Sequence, residues 1–278
     1  MLLLAGCHAG QTNAPDHPRE FTGVAMRDVT FRSAALGRQM TYRVYLPENV
    51  PMGRRLPVVF LLHGGGGDFR DWSNYSDVGK YAEQGLILVM PEGNLSYWVN
   101  AALAPEDRFG DYLTNDLLVD VEGRFPVATD RAGRSIVGIS MGGYTAVKLA
   151  LTRPELFEFA GAISPAIHVP SMRFSWRRWG QSVRLRRVFG PDGSATRIAS
   201  DPFQLVKAAN AARTPYLYIT AGDNDPMAAQ IRSFVGILKQ RGFVFEFHTK
   251  RGGHDWTEWN SQVPGCMEKL LSGIRSGR

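Results

Sequence analysis

Residues 138–142 read Gly-Ile-Ser-Met-Gly, a G-x-S-x-G pattern with Ser140 at its centre. The pattern follows the apolar run Ser135–Ile139 and precedes a helix-length segment, Met141–Arg153. A strand, a tight turn and a helix in this order strain the serine backbone and expose its hydroxyl at the end of the strand. The helix N-terminus then directs free N–H groups toward that hydroxyl. The stretch therefore predicts a parallel α/β unit with Ser140 as a nucleophile.

Short apolar runs recur on both sides of this stretch, and helix-length segments separate them. Continuous apolar strands are expected where helices cover both faces of a parallel sheet. Two runs near the N-terminus, Met26–Arg32 and Gln39–Leu46, flank Gly37 and predict an antiparallel hairpin. The fold class is therefore α/β, with a mostly parallel central sheet flanked by helices and an N-terminal antiparallel hairpin. The other predicted elements are the strands Pro57–Leu62, Leu86–Met90, Phe159–Ile163, Tyr216–Thr220 and Phe243–Phe247, and the helices Tyr112–Arg124 and Met227–Arg241.

The composition allows one packed domain, which we place at residues 21–278. Hydrophobic residues make up 44% of the 278 residues and charged residues 21%, as is typical of globular proteins. No run of about 20 apolar residues predicts a transmembrane helix. The net charge of +6 is compatible with an anionic partner or with solubility alone. Two cysteines, Cys7 and Cys266, are too few for a disulfide framework or for the usual zinc site, so no metal or cofactor is predicted.

A serine hydroxyl needs a base, and the base needs an acid that orients it. Residues 252–256 read Gly-Gly-His-Asp-Trp after the last apolar strand, which makes His254 the candidate base. Residues 221–226 read Ala-Gly-Asp-Asn-Asp-Pro after the preceding strand, so Asp223 and Asp225 are both candidates for the acid. The G-x-x-D spacing counted from Gly222 favours Asp225, and the other aspartate is then a turn or cap residue. The chain order Ser140, Asp225, His254 is that of α/β-hydrolases.

A tetrahedral intermediate also needs N–H donors for its oxyanion. Met141, the residue after the serine, is one candidate through its backbone N–H. The second is expected on the glycine-rich loop 63–67, which follows the strand Pro57–Leu62, and Gly65 is the candidate there. A phosphate-binding interpretation of this loop is disfavoured because no G-K-[ST] follows it.

With these motifs the chain resembles the esterase D superfamily of α/β-hydrolases. That group includes S-formylglutathione hydrolases, feruloyl and acetylxylan esterases, and mycobacterial mycolyltransferases. The resemblance extends from about Met26 to Ile274 and implies ester or thioester hydrolysis without a metal, with Gly65 and Met141 as the oxyanion pair. The residues that carry it are Leu61-Leu62-His63-Gly64-Gly65, Asp71-Trp72, Pro91-Glu92-Gly93, Gly138-Ile139-Ser140-Met141-Gly142-Gly143, Gly253-His254-Asp255-Trp256 and Trp259.

The expected function is therefore that of a serine esterase, acting through an acyl-enzyme on short-chain or carbohydrate-linked esters such as acetyl or feruloyl esters. An acyltransferase or a thioesterase resembling S-formylglutathione hydrolase could use the same site. A non-catalytic surface lipoprotein is the alternative from another class. Four loop aromatics are candidates either for stacking on sugar or phenolic rings or for ordinary packing: Trp72, Tyr75, Tyr97 and Trp98.

The first seven residues predict cleavage and lipid modification of the N-terminus. Residues 4–7 read Leu-Ala-Gly-Cys, which resembles the bacterial lipobox that is cut before a lipidated cysteine, here Cys7. A positive n-region and a full-length apolar stretch are missing, so either the true start lies upstream of Met1 or the match is accidental. The first interpretation makes residues 1–20 a truncated signal and tether and predicts an exported enzyme anchored by lipid in the cell envelope. The second leaves a cytoplasmic protein.

Residues 168–200 form a candidate lid over the site. Between Arg173 and Arg187 this segment carries six arginines and no acid, with Trp176 and Trp179 interleaved. Such a mixture is typical of surfaces for anionic lipid or acidic substrates, and also of a solvated helix face with snorkelling arginines. No recognition module accompanies it, so nucleic acid is not an expected partner. The sequence indicates nothing about the oligomeric state.

Overall fold

The computed structural model describes residues 15–276, and the chain enters the sheet within them through an antiparallel hairpin. β1 (Val24–Arg32) pairs with β2 (Gln39–Pro47) along its whole length. Gly37 turns the chain between them with φ +64°, a left-handed backbone that glycine adopts without strain. The predicted N-terminal hairpin is confirmed.

Within residues 15–276, the hairpin belongs to an eight-stranded sheet with the order β1-β2-β4-β3-β5-β6-β7-β8. β2 pairs with β4 in the antiparallel sense, and every pair from β4 through β8 is parallel. This arrangement confirms the predicted α/β architecture with a mostly parallel sheet. The further strands are β3 (Val58–Leu62), β4 (Ile87–Pro91), β5 (Arg134–Ile139), β6 (Phe159–Ile163), β7 (Tyr216–Gly222) and β8 (Phe245–Lys250).

Helices lie on both faces of the sheet. They are α1 (Asp71–Tyr75), α2 (Phe109–Asp111), α3 (Leu117–Arg124), α4 (Met141–Thr152), α5 (Trp179–Phe189), α6 (Ala195–Ile198), α7 (Pro202–Ala208), α8 (Ala228–Gln240) and α9 (Trp256–Arg275). A π-helical turn, Tyr112–Asp116, joins α2 to α3. No helix within residues 15–276 is both long and apolar enough to cross a bilayer.

Strand β3 shows why the central runs are apolar without alternation. Val58, Phe60 and Leu62 belong to the core on one face of the sheet, together with side chains of α3, α4 and α8. Val59 and Leu61 belong to the core on the other face, under α1 and α9. Because both faces are covered, each residue of the strand is buried, as expected for a parallel sheet between helices.

The last strand begins two residues later than the predicted run Phe243–Phe247. Gly242 turns the chain with φ +70°, and Phe243 donates its N–H to the carbonyl of Leu238 at the end of α8. β8 is an edge strand whose residues are half-buried or exposed. A continuous apolar run is therefore a poor guide to its start.

The hairpin also holds the described part of the N-terminal segment. Arg43 of β2 is 1% exposed and donates to Asp16 at 2.6 Å and to Asp28 at 2.7 Å. Tyr45 donates its hydroxyl to the carbonyl of Arg19 at 2.6 Å. Residues 16–19, which the sequence assigns to the tether, thus lie against the domain.

Candidate active site

The backbone at Ser140 is strained. Its φ of +49° and ψ of −108° lie outside the regions that L-residues normally occupy. Its N–H donates to the carbonyl of Ile163 at 2.9 Å, and its own carbonyl accepts from the N–H groups of Tyr144 and Ala166, both at 2.9 Å. Such a conformation costs about 1–3 kcal/mol and persists only where surrounding contacts hold it. Here β6 and α4 hold the serine at the carboxyl end of β5.

Two glycines let this turn close. A Cβ at Gly138 would lie 2.7 Å from the backbone nitrogen of Gly143. A Cβ at Gly142 would lie 2.6 Å from Cβ of Leu62 and would overlap the Leu62 carbonyl oxygen. The G-x-S-x-G spacing therefore reflects close packing of the start of α4 against β3 and β5.

We expect Gly142→Ala to lower the free energy of unfolding by about 1–3 kcal/mol, because the added methyl group overpacks a rigid backbone contact. Gly236 supplies the matched control, since it lies inside α8 with no atom within 4 Å of a Cβ built there. Gly236→Ala should raise the free energy of unfolding by about 1 kcal/mol through helix propensity. Urea denaturation measures both, and an unchanged Gly142→Ala would contradict the tight packing of the turn.

Ser140, His254 and Asp225 form a hydrogen-bonded chain across three strand ends. The Ser140 hydroxyl lies 2.9 Å from His254 Nε2, and His254 Nδ1 lies 2.9 Å from Asp225 Oδ2. The Asp225 side chain is fully buried, and that of His254 is 6% exposed. With Nδ1–H donated to the carboxylate, Nε2 is left to accept the serine proton. The arrangement can therefore deprotonate the hydroxyl and stabilise the imidazolium that results.

Asp223 lies on the same loop but contacts a different group. Its Oδ1 accepts from the N–H of Gly252 at 3.0 Å, and Asn224 donates its N–H to the Gly252 carbonyl at 3.0 Å. Asp223 thus braces the loop that carries His254, whereas Asp225 contacts the imidazole itself.

Gly65 and Met141, the predicted oxyanion donors, each adjoin a residue of the site: Gly65 follows Gly64, and Met141 follows Ser140. A Cβ on the neighbouring Gly64 would lie 3.5 Å from Ser140 Cβ, which places the glycine loop directly beside the hydroxyl. Met141 is the first residue of α4, where a helix leaves its N–H groups unpaired. Neither the Gly65 nor the Met141 N–H donates to another backbone group in the part of the chain that the structure describes, 15–276. Two such donors beside one hydroxyl can hold an oxyanion.

His63 links the glycine loop to the loop after β4. Its Nδ1–H donates to the carbonyl of Gly64 at 2.8 Å, and its Nε2 accepts from the N–H of Gly93 at 3.0 Å. The buried indole of Trp98 packs against the ring at 5.1 Å between centroids. His63 therefore orients the loop that carries Gly65, a role that the sequence motif did not reveal.

A buried carboxyl, Asp71, packs beneath the same loop. A Cβ at Gly67 would overlap its carboxylate, so any larger residue there would have to displace the Asp71 side chain. Burial raises the pKa of Asp71, His63 opposes the shift, and the charges of Asp68 and Glu92 add to it, so that the pKa is about 6. The loop thus packs against a carboxyl that titrates in the mildly acidic range.

Glu258 is a second buried carboxyl behind the histidine. It is 3% exposed, accepts from the amide of Gln262 at 2.7 Å, and lies 3.4 Å from the hydroxyl of Ser164. Burial raises the pKa of Glu258, the charge of Asp225 raises it further, and the bonds from Gln262 and Ser164 oppose the shift. No sequence motif marked this residue, because its closeness to the acid arises only when α9 packs on the sheet.

His168 lies close enough to the site to sense its charges. Burial lowers the pKa of His168, His254 and Arg178 lower it further, and Asp225 opposes them. Its buried Nδ1 has no hydrogen-bond partner within residues 15–276. The shift favours a neutral imidazole within electrostatic range of Asp225 and His254, and the sequence placed this histidine only at the start of the candidate lid.

The structure places Trp72 and Tyr75 on helix α1 and not on a loop as predicted, and it separates the four aromatics into two kinds. Trp72 is 1% exposed and Trp98 2%, so both belong to the packed interior and cannot stack on a substrate. Tyr75 and Tyr97 are half-buried. Tyr97 has φ +53° and lies beside the site, with its N–H donated to Sδ of Met141 at 3.3 Å.

Cys7 lies outside the described residues, so its lipidation stays a prediction. Within residues 15–276, no group of three or more histidine, cysteine or acidic side chains is arranged to hold a metal ion.

Comparison with known proteins identifies the family of this chain. The profile of the esterase family, described as "Putative esterase", matches residues 33–270. The chain belongs to this family. The esterase is 26% identical over 260 residues to an acetyl esterase of Caldicellulosiruptor saccharolyticus, which covers 88% of this chain and 97% of that protein. It is 24% identical over 265 residues to an endo-1,4-beta-xylanase/feruloyl esterase of Xylanibacter ruminicola, covering 90% of this chain but only 31% of that longer protein.

A solved structure shows the same fold. The esterase aligns with a fluorophosphonate-binding serine hydrolase of Staphylococcus aureus, solved with substrate bound, at a TM-score of 0.78 and 23% identity. The alignment covers 90% of this chain and 98% of that one. The resemblance to esterases, the α/β-hydrolase fold and the enzyme class, carboxylic ester hydrolase, are thus confirmed.

Proposed function

We propose that this esterase hydrolyses short-chain or carbohydrate-linked carboxylic esters, foremost acetyl and feruloyl esters, through an acyl-enzyme on Ser140. The observation that carries the proposal is the hydrogen-bonded chain from the Ser140 hydroxyl through His254 to the buried Asp225. The acetyl esterase relative supports the acetyl group, because the match spans nearly the whole of both chains. The feruloyl esterase relative supports the phenolic acid ester, and the match falls within about a third of that protein.

The mechanism begins with proton transfer. His254 Nε2 takes the proton from the Ser140 hydroxyl as its oxygen attacks the ester carbonyl, and Asp225 stabilises the imidazolium. The N–H groups of Gly65 and Met141 hold the oxyanion of the tetrahedral intermediate. His254 then gives the proton to the departing alcohol, which leaves the acyl group on Ser140.

Water completes the cycle. His254, neutral again, deprotonates a water molecule that attacks the acyl-enzyme, and the same two N–H groups hold the second oxyanion. Collapse of this intermediate releases the carboxylic acid and returns the proton to the Ser140 oxygen.

A substrate panel tests the acyl preference. We expect turnover of p-nitrophenyl acetate and methyl ferulate, lower turnover of the butyrate and little of the octanoate. A fluorophosphonate probe should label the protein and block all of these activities. Octanoate as the best substrate would refute the short-chain proposal, and the absence of both labelling and turnover would favour the non-catalytic binding lipoprotein.

Two related activities could use the same site, and the substrates that they accept distinguish them from ester hydrolysis. An acyltransferase would transfer the acetyl group to added glycerol or xylose, so that the new ester forms at the expense of free acetate. A thioesterase would hydrolyse S-formylglutathione with a higher kcat/KM than any oxygen ester of the panel.

The proposed location is the cell envelope, reached by export and held by a lipid on Cys7. The support for it is the Leu-Ala-Gly-Cys motif at residues 4–7. This location agrees with the proposed substrates, because an exported enzyme can reach carbohydrate esters that lie outside the cytoplasm.

A further inference from the structure

Three aromatic side chains form an exposed cluster on the segment 168–200. Trp176 is 78% exposed, Trp179 54% and Phe174 37%. The two indoles stack at 5.1 Å between centroids with 14° between their planes, and Phe174 meets them edge-on at 5.2 and 5.7 Å. Because the rings cover one another only in part, a large apolar surface faces solvent.

Helix α5 extends this surface. Its inward face buries Ser182, Leu185 and Phe189, which recur at helical spacing. Its outward face carries Trp179 and, one turn later, Val183, which is 44% exposed. An ordinary surface helix has polar residues on its outward face, so this apolar stripe is unusual.

Arginines predominate in the segment that carries the aromatic cluster, although the carboxylate of Asp192 accepts the backbone N–H of Phe174. All six arginines between residues 173 and 187 are exposed, and no acid lies among them. Within residues 15–276, only Arg187 of the six forms an ion pair, with Glu106 at 3.1 Å and Asp107 at 3.0 Å. The five whose charge has no carboxylate partner in that part of the chain are Arg173, Arg177, Arg178, Arg184 and Arg186.

We propose that residues 173–187 form a membrane-docking surface that binds the esterase to anionic lipid bilayers. Tryptophan is favoured at the boundary between headgroups and acyl chains, where one part of the ring is apolar and another is wet. Arginines beside it are attracted to anionic headgroups, and each adds to the binding. The exposed aromatic cluster suits the apolar part of this boundary, and the arginines without carboxylate partners suit its negatively charged headgroups.

The arrangement of the rings disfavours an acidic polysaccharide as the occupant. Sugar rings bind to open aromatic faces, but Trp176 and Trp179 each turn one face toward the other. Phe174 lies against both of them. Each indole therefore offers a sugar ring one open face at most, whereas an unstacked tryptophan could offer two.

The docking surface connects to the site through packing. Phe189, at the inner end of α5, contacts the ring of Tyr97 at 5.1 Å and that of Tyr144 at 5.9 Å. Tyr97 in turn bonds to Met141, the residue after Ser140. The helix that carries part of the docking surface is thus packed against the residues beside Ser140, whichever ester the enzyme cleaves.

Vesicle co-sedimentation tests the proposal. The full chain carries Cys7→Ser, so that no acyl chain contributes to binding. We expect sedimentation with vesicles of phosphatidylcholine and phosphatidylglycerol, little with phosphatidylcholine alone, and release by added salt, because the attraction to headgroups is electrostatic.

Variants locate the binding on the protein. Arg177→Ala/Arg184→Ala should weaken vesicle binding about 25-fold, or about fivefold for each arginine. Trp176→Ala/Trp179→Ala should weaken it about tenfold or more through lost apolar burial. The matched control is Arg54→Ala/Arg232→Ala, which removes two exposed arginines outside the docking surface and should weaken binding less than Arg177→Ala/Arg184→Ala. All variants should keep the wild-type turnover of soluble p-nitrophenyl acetate, which excludes misfolding.

Two results would overturn the proposal. One is vesicle binding that does not support a specific anionic docking surface: the protein sediments equally with and without phosphatidylglycerol, or the control double variant loses as much binding as the double variants in the docking surface. The other is retardation by soluble polygalacturonate in affinity electrophoresis that the Trp176 and Arg177 pairs abolish, while neither pair changes vesicle binding. That second result would assign the surface to an acidic polysaccharide.

Discussion

Ser140→Ala is expected to lower kcat/KM for p-nitrophenyl acetate by at least about 10⁴-fold, because the acyl-enzyme cannot form without the hydroxyl. The hydroxyl lies 2.9 Å from His254 Nε2, and its residue is 8% exposed, so loss of one oxygen leaves the packing of the turn in place. The thermal unfolding midpoint should therefore stay close to that of the wild type. The lowest activity that we expect is the small rate enhancement that substrate binding and the oxyanion donors provide without the serine.

The matched control for this variant is Ser171→Ala. Ser171 is an exposed serine of the candidate lid whose hydroxyl bonds to the carbonyl of His168 at 2.8 Å. Its replacement should leave turnover within about twofold of the wild type, since surface substitutions have small effects. Wild-type turnover by Ser140→Ala, or labelling of that variant by a fluorophosphonate, would assign the nucleophile elsewhere.

Asp225→Asn is expected to lower kcat by about 10⁴-fold with little change in fold. The carboxylate accepts Nδ1–H of His254 at 2.9 Å and the N–H of Met227 at 2.7 Å. An amide in its place can present N–H to Nδ1, which favours the tautomer with the proton on Nε2 and removes the base from the serine. It also leaves the imidazolium of the transition state without a compensating charge.

Asp223→Asn tests the alternative acid on the same loop. Asp223 contributes one oxygen that accepts the N–H of Gly252 at 3.0 Å, and an asparagine keeps such an oxygen. We therefore expect kcat within about tenfold of the wild type, measured on the same substrate and at the same pH. A large loss for Asp223→Asn together with a small loss for Asp225→Asn would reverse the assignment of the acid.

The serine turn and the parallel sheet were predictable because their signals are local. Apolar runs such as Pro57–Leu62 predict strands covered on both faces, and β3 is buried along its length. The glycines around Ser140 predict a close approach of backbones, and a Cβ at Gly142 would indeed overlap β3. In both cases the local surroundings of a residue determine which residue type can stand there.

Features that depend on distant packing were less accessible. Trp72 and Trp98 each come after a strand in the sequence, yet both side chains turn into the interior, which that position does not reveal. Glu258 and His168 approach the triad only after α9 and the segment beyond β6 pack against the sheet. No motif in the sequence around either residue links it to Ser140, Asp225 or His254.

By itself the sequence determined the α/β class, the strands that meet at one edge, and the order in which serine, acid and base occur along the chain. These follow from periodicity and from short-range steric demands, which act within a few residues. Only the tertiary structure decided that Asp225 contacts His254 while Asp223 braces the loop at Gly252. The G-x-x-D spacing favoured Asp225, but the two carboxylates have the same chemistry, and only their contacts with the loop 252–254 in the folded chain distinguish their roles.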